Sequence, residues 1–296
     1  MELVDEAKLE ELLGPSLAGR LEASGVVARD GHFYVVFDSS SEIASVDGRL
    51  ERQDGRNRFV SPGSRRGVGY EDIAHDPSRD RFFALIEAMP HHGGGFMAQV
   101  DEYDEGLRHV RSAWLDFPLE RANKGLEGLS CARRGGETHL LGLCEGNSCR
   151  GGASGRQAGG GRIQVFREGG HRWEHVATLR LPRSLRFRDY SSIALTGDLI
   201  AVLSQASSAL WVGALSPSSW ELASEGRRYR FPRDGENRAA YCNVEGVSWI
   251  APDRVVVVSD KAKPSAQRKG CRIKDQSIHI FGIPAPPPGR GDGALP

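Results

Sequence analysis

Five short, almost uninterrupted apolar runs punctuate the chain, at residues 33–37, 82–86, 140–143, 199–203 and 255–258. Runs of this length, bounded by turn formers, read as strands covered on both faces. A tight turn precedes each one, at residues 29–31, 75–80, 133–137, 196–198 and 251–253, with the Gly, Asp and Pro that reverse a chain. Ahead of every turn stands a shorter apolar strand opened by a small or acidic pair. These openings are Ser24-Gly25-Val26, Glu71-Asp72-Ile73, Glu127-Gly128-Leu129, Ser191-Ser192-Ile193 and Glu245-Gly246-Val247. Third strands are predicted over residues 42–46, 97–103, 163–167, 210–215 and 278–283. Residues 176–181 alternate apolar and polar, the pattern of a half-exposed fourth strand. Residues 5–13 are the one stretch that also reads as an amphipathic helix.

The same order of elements thus recurs five times, at intervals on the order of 50 residues. Four-stranded units of that length, repeated radially, build a β-propeller. The fold expected is all-β: a single β-propeller of four-stranded antiparallel blades, five blades favoured over six. The fifth unit runs out after its third strand, because residues 284–296 form a Pro/Gly-rich tail that cannot pair. Residues 2–9 stand where the missing fourth strand belongs, so the N-terminal segment is expected to close the ring. The domain division that follows is a propeller over residues 1–283 and a flexible tail over 284–296.

In such a blade the first strand begins, and the second strand ends, on one face of the ring. The loops on that face are the long ones: residues 61–69, 88–95, 146–161, 182–188, 232–243 and 261–277. Long loops tend to persist where they bind something. First strands begin there with Glu71, Asp72, Glu127 and Glu245, and Asp189 stands just ahead of the fourth. Second strands end there in Asp38, Glu87, Glu145, Gln205 and Asp260, polar in all five units and acidic in four. Two such carboxylates about 4 Å apart repel by about 4 kcal/mol at an effective dielectric of 20. A ring of them needs bound cations, Lys or Arg partners, or retained protons. Oxygen-only donors suit Ca²⁺ or Mg²⁺ rather than zinc. The metal ligands expected are Glu71, Glu127, Glu145, Glu245 and Asp260. Asp38, Glu87, Asn123, Lys124, Arg188, Gln205, Asn243 and Lys261 are expected around a bound ligand. The alternative role for the acids is structural, accepting N–H groups of the next blade or pairing with Lys124, Arg188 and Lys261.

The motifs Asn123-Lys124-Gly125-Leu126-Glu127-Gly128-Leu129-Ser130 and Asn243-Val244-Glu245-Gly246-Val247-Ser248, with Val257-Val258-Ser259-Asp260, resemble repeats of two bacterial propeller families. These are the phytase-like (esterase-like) propellers and the SdiA-regulated propellers. The resemblance implies a propeller with Ca²⁺ in its channel, held at Glu71, Glu127 and Glu245.

Composition narrows the partners. Lys+Arg and Asp+Glu both number 39, and the pI is near 7.1. Such a balance provides no field to attract nucleic acid or an anionic membrane. Basic residues do collect in the long loops, among them Arg65, Arg66, Arg121, Lys124, Arg183, Arg186, Arg188, Arg233 and Arg238, with six more from Lys261 to Lys274. A basic collar around an acidic centre suits a small anionic ligand or a protein partner. Residues 199–220 carry no charge, but Ser204 to Ser208 read as a turn rather than part of a membrane span. The acidic N-terminus lacks the pattern of a signal peptide, so the default is a cytoplasmic monomer with most of its five cysteines reduced. His91-His92 reads as loop, the cysteines lack zinc spacing, and the glycines of residues 146–161 lack the strand–helix context of a phosphate loop. No GxSxG elbow is present. The function expected is ligand or partner binding over an acidic channel, the alternative a metal-dependent hydrolase of a small phosphate ester, ester or lactone.

Overall fold

Each predicted apolar run is the second strand of a four-stranded antiparallel blade in the computed structural model, which describes residues 1–14, 21–52, 55–61, 68–122, 124–261 and 269–284. Blade 1 comprises Ala23–Arg29, His32–Phe37, Ser40–Asp47 and Arg58–Ser61. Blade 2 comprises Ile73–Asp76, Arg81–Pro90, Phe96–Tyr103 and His109–Asp116. Blade 3 is built from Leu126–Arg134, Glu137–Cys144, Arg162–Glu168 and Arg172–Arg180. Its outer strand pairs in parallel with that of blade 2, Arg172 opposite Trp114, so the two blades share one continuous sheet. Blade 4 is built from Ser192–Thr196, Leu199–Ser204, Ala209–Ala214 and Arg227–Arg230. Val244–Ala251, Arg254–Ser259 and Ser277–Gly282 make the inner three strands of blade 5. Its outer strand is Glu2–Lys8, antiparallel to Ser277–Gly282 with Ala7 opposite Ile278. The protein is therefore a five-bladed propeller closed by its N-terminal strand. Of the helix that residues 5–13 offered as the competing reading, only Leu9–Leu13 forms, burying Leu9 and Leu12 three residues apart on one face. The proposed tail, apart from Pro284, lies outside the described residues, as does Asn123.

The second strands are apolar throughout because successive side chains enter different gaps. Phe82 and Ala84 pack between blades 1 and 2, Phe83 and Leu85 between blades 2 and 3. Ile200 and Val202 face blade 3, whereas Ala201 and Leu203 face blade 5. Val256 and Val258 likewise face blade 1, with Val255 and Val257 toward blade 4. One apolar cluster fills each of the five gaps.

Cys144 is bonded to Cys149 and Cys242 to Cys271, leaving Cys131 as the free thiol. This corrects the expectation that most cysteines are reduced. Both bonds lie within single blades: Cys149 is in the loop that follows the strand ending at Cys144, and Cys242 and Cys271 flank the first two strands of blade 5. No helix among the described residues is long and apolar enough to cross a membrane.

Candidate functional site: an acidic basin on the long-loop face

The second residue of each recurrent pair, at positions 25, 72, 128, 192 and 246, lies where the five inner strands approach most closely. Glycine there is a matter of space. A Cβ on Gly25 would lie 2.5 Å from the Asp72 Cα, and one on Gly246 2.7 Å from the Gly25 Cα. The two positions that keep side chains use them against each other. Asp72 Oδ2 accepts the Ser192 hydroxyl and the Leu129 N–H, each at 2.9 Å, and Oδ1 accepts the Ile73 N–H at 2.8 Å. Ser192 Oγ in turn accepts the Val247 N–H at 3.1 Å. Asp72 is thus a fully buried knot between blades. The expectation that placed it with the acids of the working face is corrected, because its oxygens are consumed by blade-to-blade hydrogen bonds.

One residue earlier, the chain turns its side chains into the long-loop mouth. Ser24, Glu127 and Glu245 are the extra residues of β-bulges, lying between Ala23 and Gly25, Leu126 and Gly128, and Val244 and Gly246. A bulge re-aims the side chain that would otherwise continue the strand's alternation. These residues, with Glu71 and Ser191, line a cavity of about 260 Å³ together with Asp38, Gln205, Asn243, Asp260 and Lys261. Carboxylate oxygens of Glu87, Glu127 and Glu145 can all lie within 4.8 Å of one another.

Glu87 is expected around the ligand and outside the metal set. The structure groups it with Glu127 and Glu145, a grouping its strand-end position, shared with Glu145, had signalled. Glu71, Glu245 and Asp260 line the cavity without joining that trio. Gln205 donates its amide to Glu245, and Asn243 accepts the Asp260 N–H on its backbone carbonyl at 2.8 Å. Glu87 accepts the Gly125 N–H at 3.0 Å. Lys124 bonds both oxygens of Glu145, at 2.6 and 2.8 Å, and Lys261 approaches Glu22 at 3.9 Å. Arg188 stands aside, in a neighbouring cavity with Lys124 and Glu145. Asp189 is held by the Ser204 hydroxyl at 2.6 Å and the Ala206 N–H at 2.9 Å. Elsewhere on the collar Arg238 pairs with Asp234 at 2.9 Å, and Lys274 pairs with Glu6. His91 folds back in its loop against Trp114, ring centres 5.0 Å apart.

Burial and mutual repulsion decide the protonation of the basin. Burial, then the charges of Glu87 and Asp38, push Glu71 up to about 8. Burial, followed by Glu71 and Glu145, raises Glu127 well above the ordinary carboxylate range. Glu245 is raised in the same way, first by burial and then by Asp260 and Asp189. Glu87 is raised by burial, against the Gly125 N–H that favours its charge. Burial pulls Lys124 down, but its bonds to Glu145 outweigh that and hold it above an ordinary lysine. Two ammoniums, Lys124 and Lys261, against this many carboxyls leave the basin protonated near neutrality or ready for another cation. Its donors are carboxylate, amide and hydroxyl oxygens, the set that fits Ca²⁺ or Mg²⁺.

The fold and site define a five-bladed propeller with an acidic basin on its long-loop face. Solved structures of the same architecture include Myxococcus xanthus glutaminyl cyclase, with a TM-score of 0.57 and 10% identity over 95% of each chain. Another is a GH43_1 enzyme from Xanthomonas citri complexed with xylose, with a TM-score of 0.52 and 9% identity over 95% of this chain and 90% of that one. Likeness at this identity concerns the fold. No protein-family model matches the chain, and no curated protein matches its sequence.

Proposed function

We propose that the basin takes up one divalent, oxygen-seeking cation, Ca²⁺ or Mg²⁺, and that the long-loop face binds a small anionic ligand or protein partner above it. The observation that carries this reading is the approach of Glu87, Glu127 and Glu145 to within 4.8 Å. Three carboxylates so close are held apart in energy by several kcal/mol unless a cation or protons intervene. Glu71, Glu245 and Asp260 line the neighbouring cavity. The resemblance to phytase-like propellers supports the same chemistry. Elemental analysis of purified protein, with melting before and after chelation, tests the reading. One divalent ion per chain and a lower melting temperature on its removal are expected; no metal, and no shift on adding Ca²⁺ or Mg²⁺, overturns it.

A second reading, hydrolysis of a phosphate ester, ester or lactone, draws support from Glu71. Its proton is held up to about 8, in the range where a carboxyl exchanges protons with a substrate at neutral pH. A divalent ion, when bound, supplies charge stabilisation and an acidified water. Both solved neighbours named above are enzymes. A screen of phosphate esters and lactones with wild type and Glu71→Gln separates this reading from plain binding: turnover abolished by the substitution supports it, and no turnover of any substrate removes it. The protein is proposed to act as a monomer. The cytoplasmic default has the two disulfides against it, since such bonds persist chiefly in oxidising compartments.

A further inference from the structure

Beside the basin, between blades 3 and 4, lies a second cavity of about 400 Å³ on the same face. Its floor is the glycine-rich stretch at residues 146–161, which contains no phosphate-loop motif yet is firmly built. The Cys144–Cys149 bond ties its start to the end of the blade 3 second strand. Asn147, 1% exposed, donates its amide to the carbonyls of Gly155 at 3.0 Å and Phe187 at 3.2 Å. Its carbonyl accepts the Gly160 N–H at 2.8 Å and the Tyr190 hydroxyl at 2.9 Å. Gly155 has to be glycine: a Cβ there would lie 1.9 Å from the Arg150 carbonyl oxygen. The loop is therefore packed on itself and on blade 4, and the side chains it presents have fixed bases.

Those side chains are Arg150 and Arg156, joined from blade 4 by Arg188. Among the described residues none of the three guanidiniums has a carboxylate partner. The cavity's two carboxylates are already engaged, Glu145 by Lys124 and Asp189 by Ser204 and Ala206. Lys124 cancels Glu145, and Asp189 keeps its charge because its partners are neutral, so the three guanidiniums leave a net charge of two, which matches a dianion. Guanidinium forks bond two oxygens of a phosphoryl group at once, which a solvated lysine does not.

We infer that this cavity binds the phosphoryl group of a small phosphomonoester, with Arg150, Arg156 and Arg188 as its specificity-determining residues. The assignment names the anionic ligand of the face proposed above, and rests on that reading only for placing the rest of the ligand toward the basin. The anion is held by guanidiniums, so its binding does not need the cation.

The test is calorimetric titration of phenyl phosphate and inorganic phosphate into protein stripped of metal and dialysed free of chelator. Saturable binding is expected, weakened about tenfold or more in R150A/R156A/R188A with the melting temperature unchanged. The single variants R156A and R188A, both altering exposed side chains, give partial losses. Arg172→Ala, a surface arginine paired with Asp116 outside the cavity, serves as the control and leaves phosphate binding intact. If the cation reading alone is wrong, no ion is taken up but phosphate still binds through the arginines. No saturable binding, equal binding by the triple variant, or displacement by chloride as effective as by phosphate overturns the subsite.

Discussion

Asp72 of blade 2 accepts the Ser192 hydroxyl of blade 4 at 2.9 Å, although blade 3 stands between those two blades in the ring. The same carboxyl oxygen takes the Leu129 N–H, and Ser192 relays the contact to Val247 of blade 5. Blade 1 meets this knot through Gly25, which packs directly on Asp72. A single side chain thereby reaches all five blades just beneath the basin. Asp72→Asn replaces one acceptor oxygen by an amide NH2 that faces N–H or O–H donors, leaving at least one buried donor unmatched at a cost of about 1–3 kcal/mol. The melting temperature should drop by about 3–10 °C, with no comparable loss of cation uptake. An unchanged melting temperature would show that the knot contributes nothing.

Glu127 is the opposite case. It is buried among Glu71, Glu87 and Glu145, so its charge costs stability unless a cation compensates. Glu127→Gln removes that charge while keeping its shape. The stripped variant should melt at or above the wild-type temperature at pH 8, while Ca²⁺ and Mg²⁺ affinity falls at least about tenfold. Loss of stability with retained cation uptake contradicts the placement of Glu127 in the cation site.

The basin also sets a pH dependence. Glu71 titrates in the folded protein at about 8, above its ordinary value of 4.5. Between these values the folded state holds more protons than the unfolded chain, so stability from this group is complete below about pH 4.5 and is lost as pH rises through 8. Metal-free protein should therefore melt lower at pH 9 than at pH 6, and added Ca²⁺ should restore more at pH 9. Uptake at pH 7 should release protons, measurable as a buffer-dependent binding enthalpy. A flat melting profile over this range, with no proton release, would place the basin acids in their ordinary range.

The Cys242–Cys271 bond closes a span of 29 residues that carries part of the long-loop rim. Restricting the unfolded chain over such a span is worth about 3–4 kcal/mol in the chain-entropy account. Cys242→Ser with Cys271→Ser, or a strong reductant, should lower stability by that order in denaturant unfolding. Indifference to reductant in unmodified protein would mean the bond does not form in solution.

Ring closure gives the last expectation. Residues 2–8 supply the outer strand of blade 5, and Leu9 and Leu12 plug the cluster between blades 5 and 1. Deleting residues 1–8 strips the Ser277–Gly282 edge of its partner, and an exposed strand edge of this kind recruits other chains. The truncated protein should aggregate or elute as larger species in size-exclusion chromatography. A monodisperse, fully folded truncation would mean that the N-terminal strand is dispensable.

The sequence by itself determined the repeat, because a strand wedged between two blades must be apolar on both faces and a strand meeting four others at an axis must begin small. Those demands leave marks at residues 33–37 and at Gly25, Gly128 and Gly246 that no other architecture explains as simply. It also determined which carboxyls end strands on one face, since strand direction within a blade is fixed by the order of elements. What it left open was which acids meet. Asp72 and Glu71 are neighbours in the chain, yet one is locked between blades and the other faces the mouth, because successive residues point opposite ways. The β-bulges at Ser24, Glu127 and Glu245 arise from register against a partner strand, and the disulfides from the approach of loops, neither of which a single strand encodes. The convergence of Glu87 with Glu127 and Glu145, and of Arg188 with Arg150 and Arg156, was decided only when blades from distant parts of the chain were set side by side.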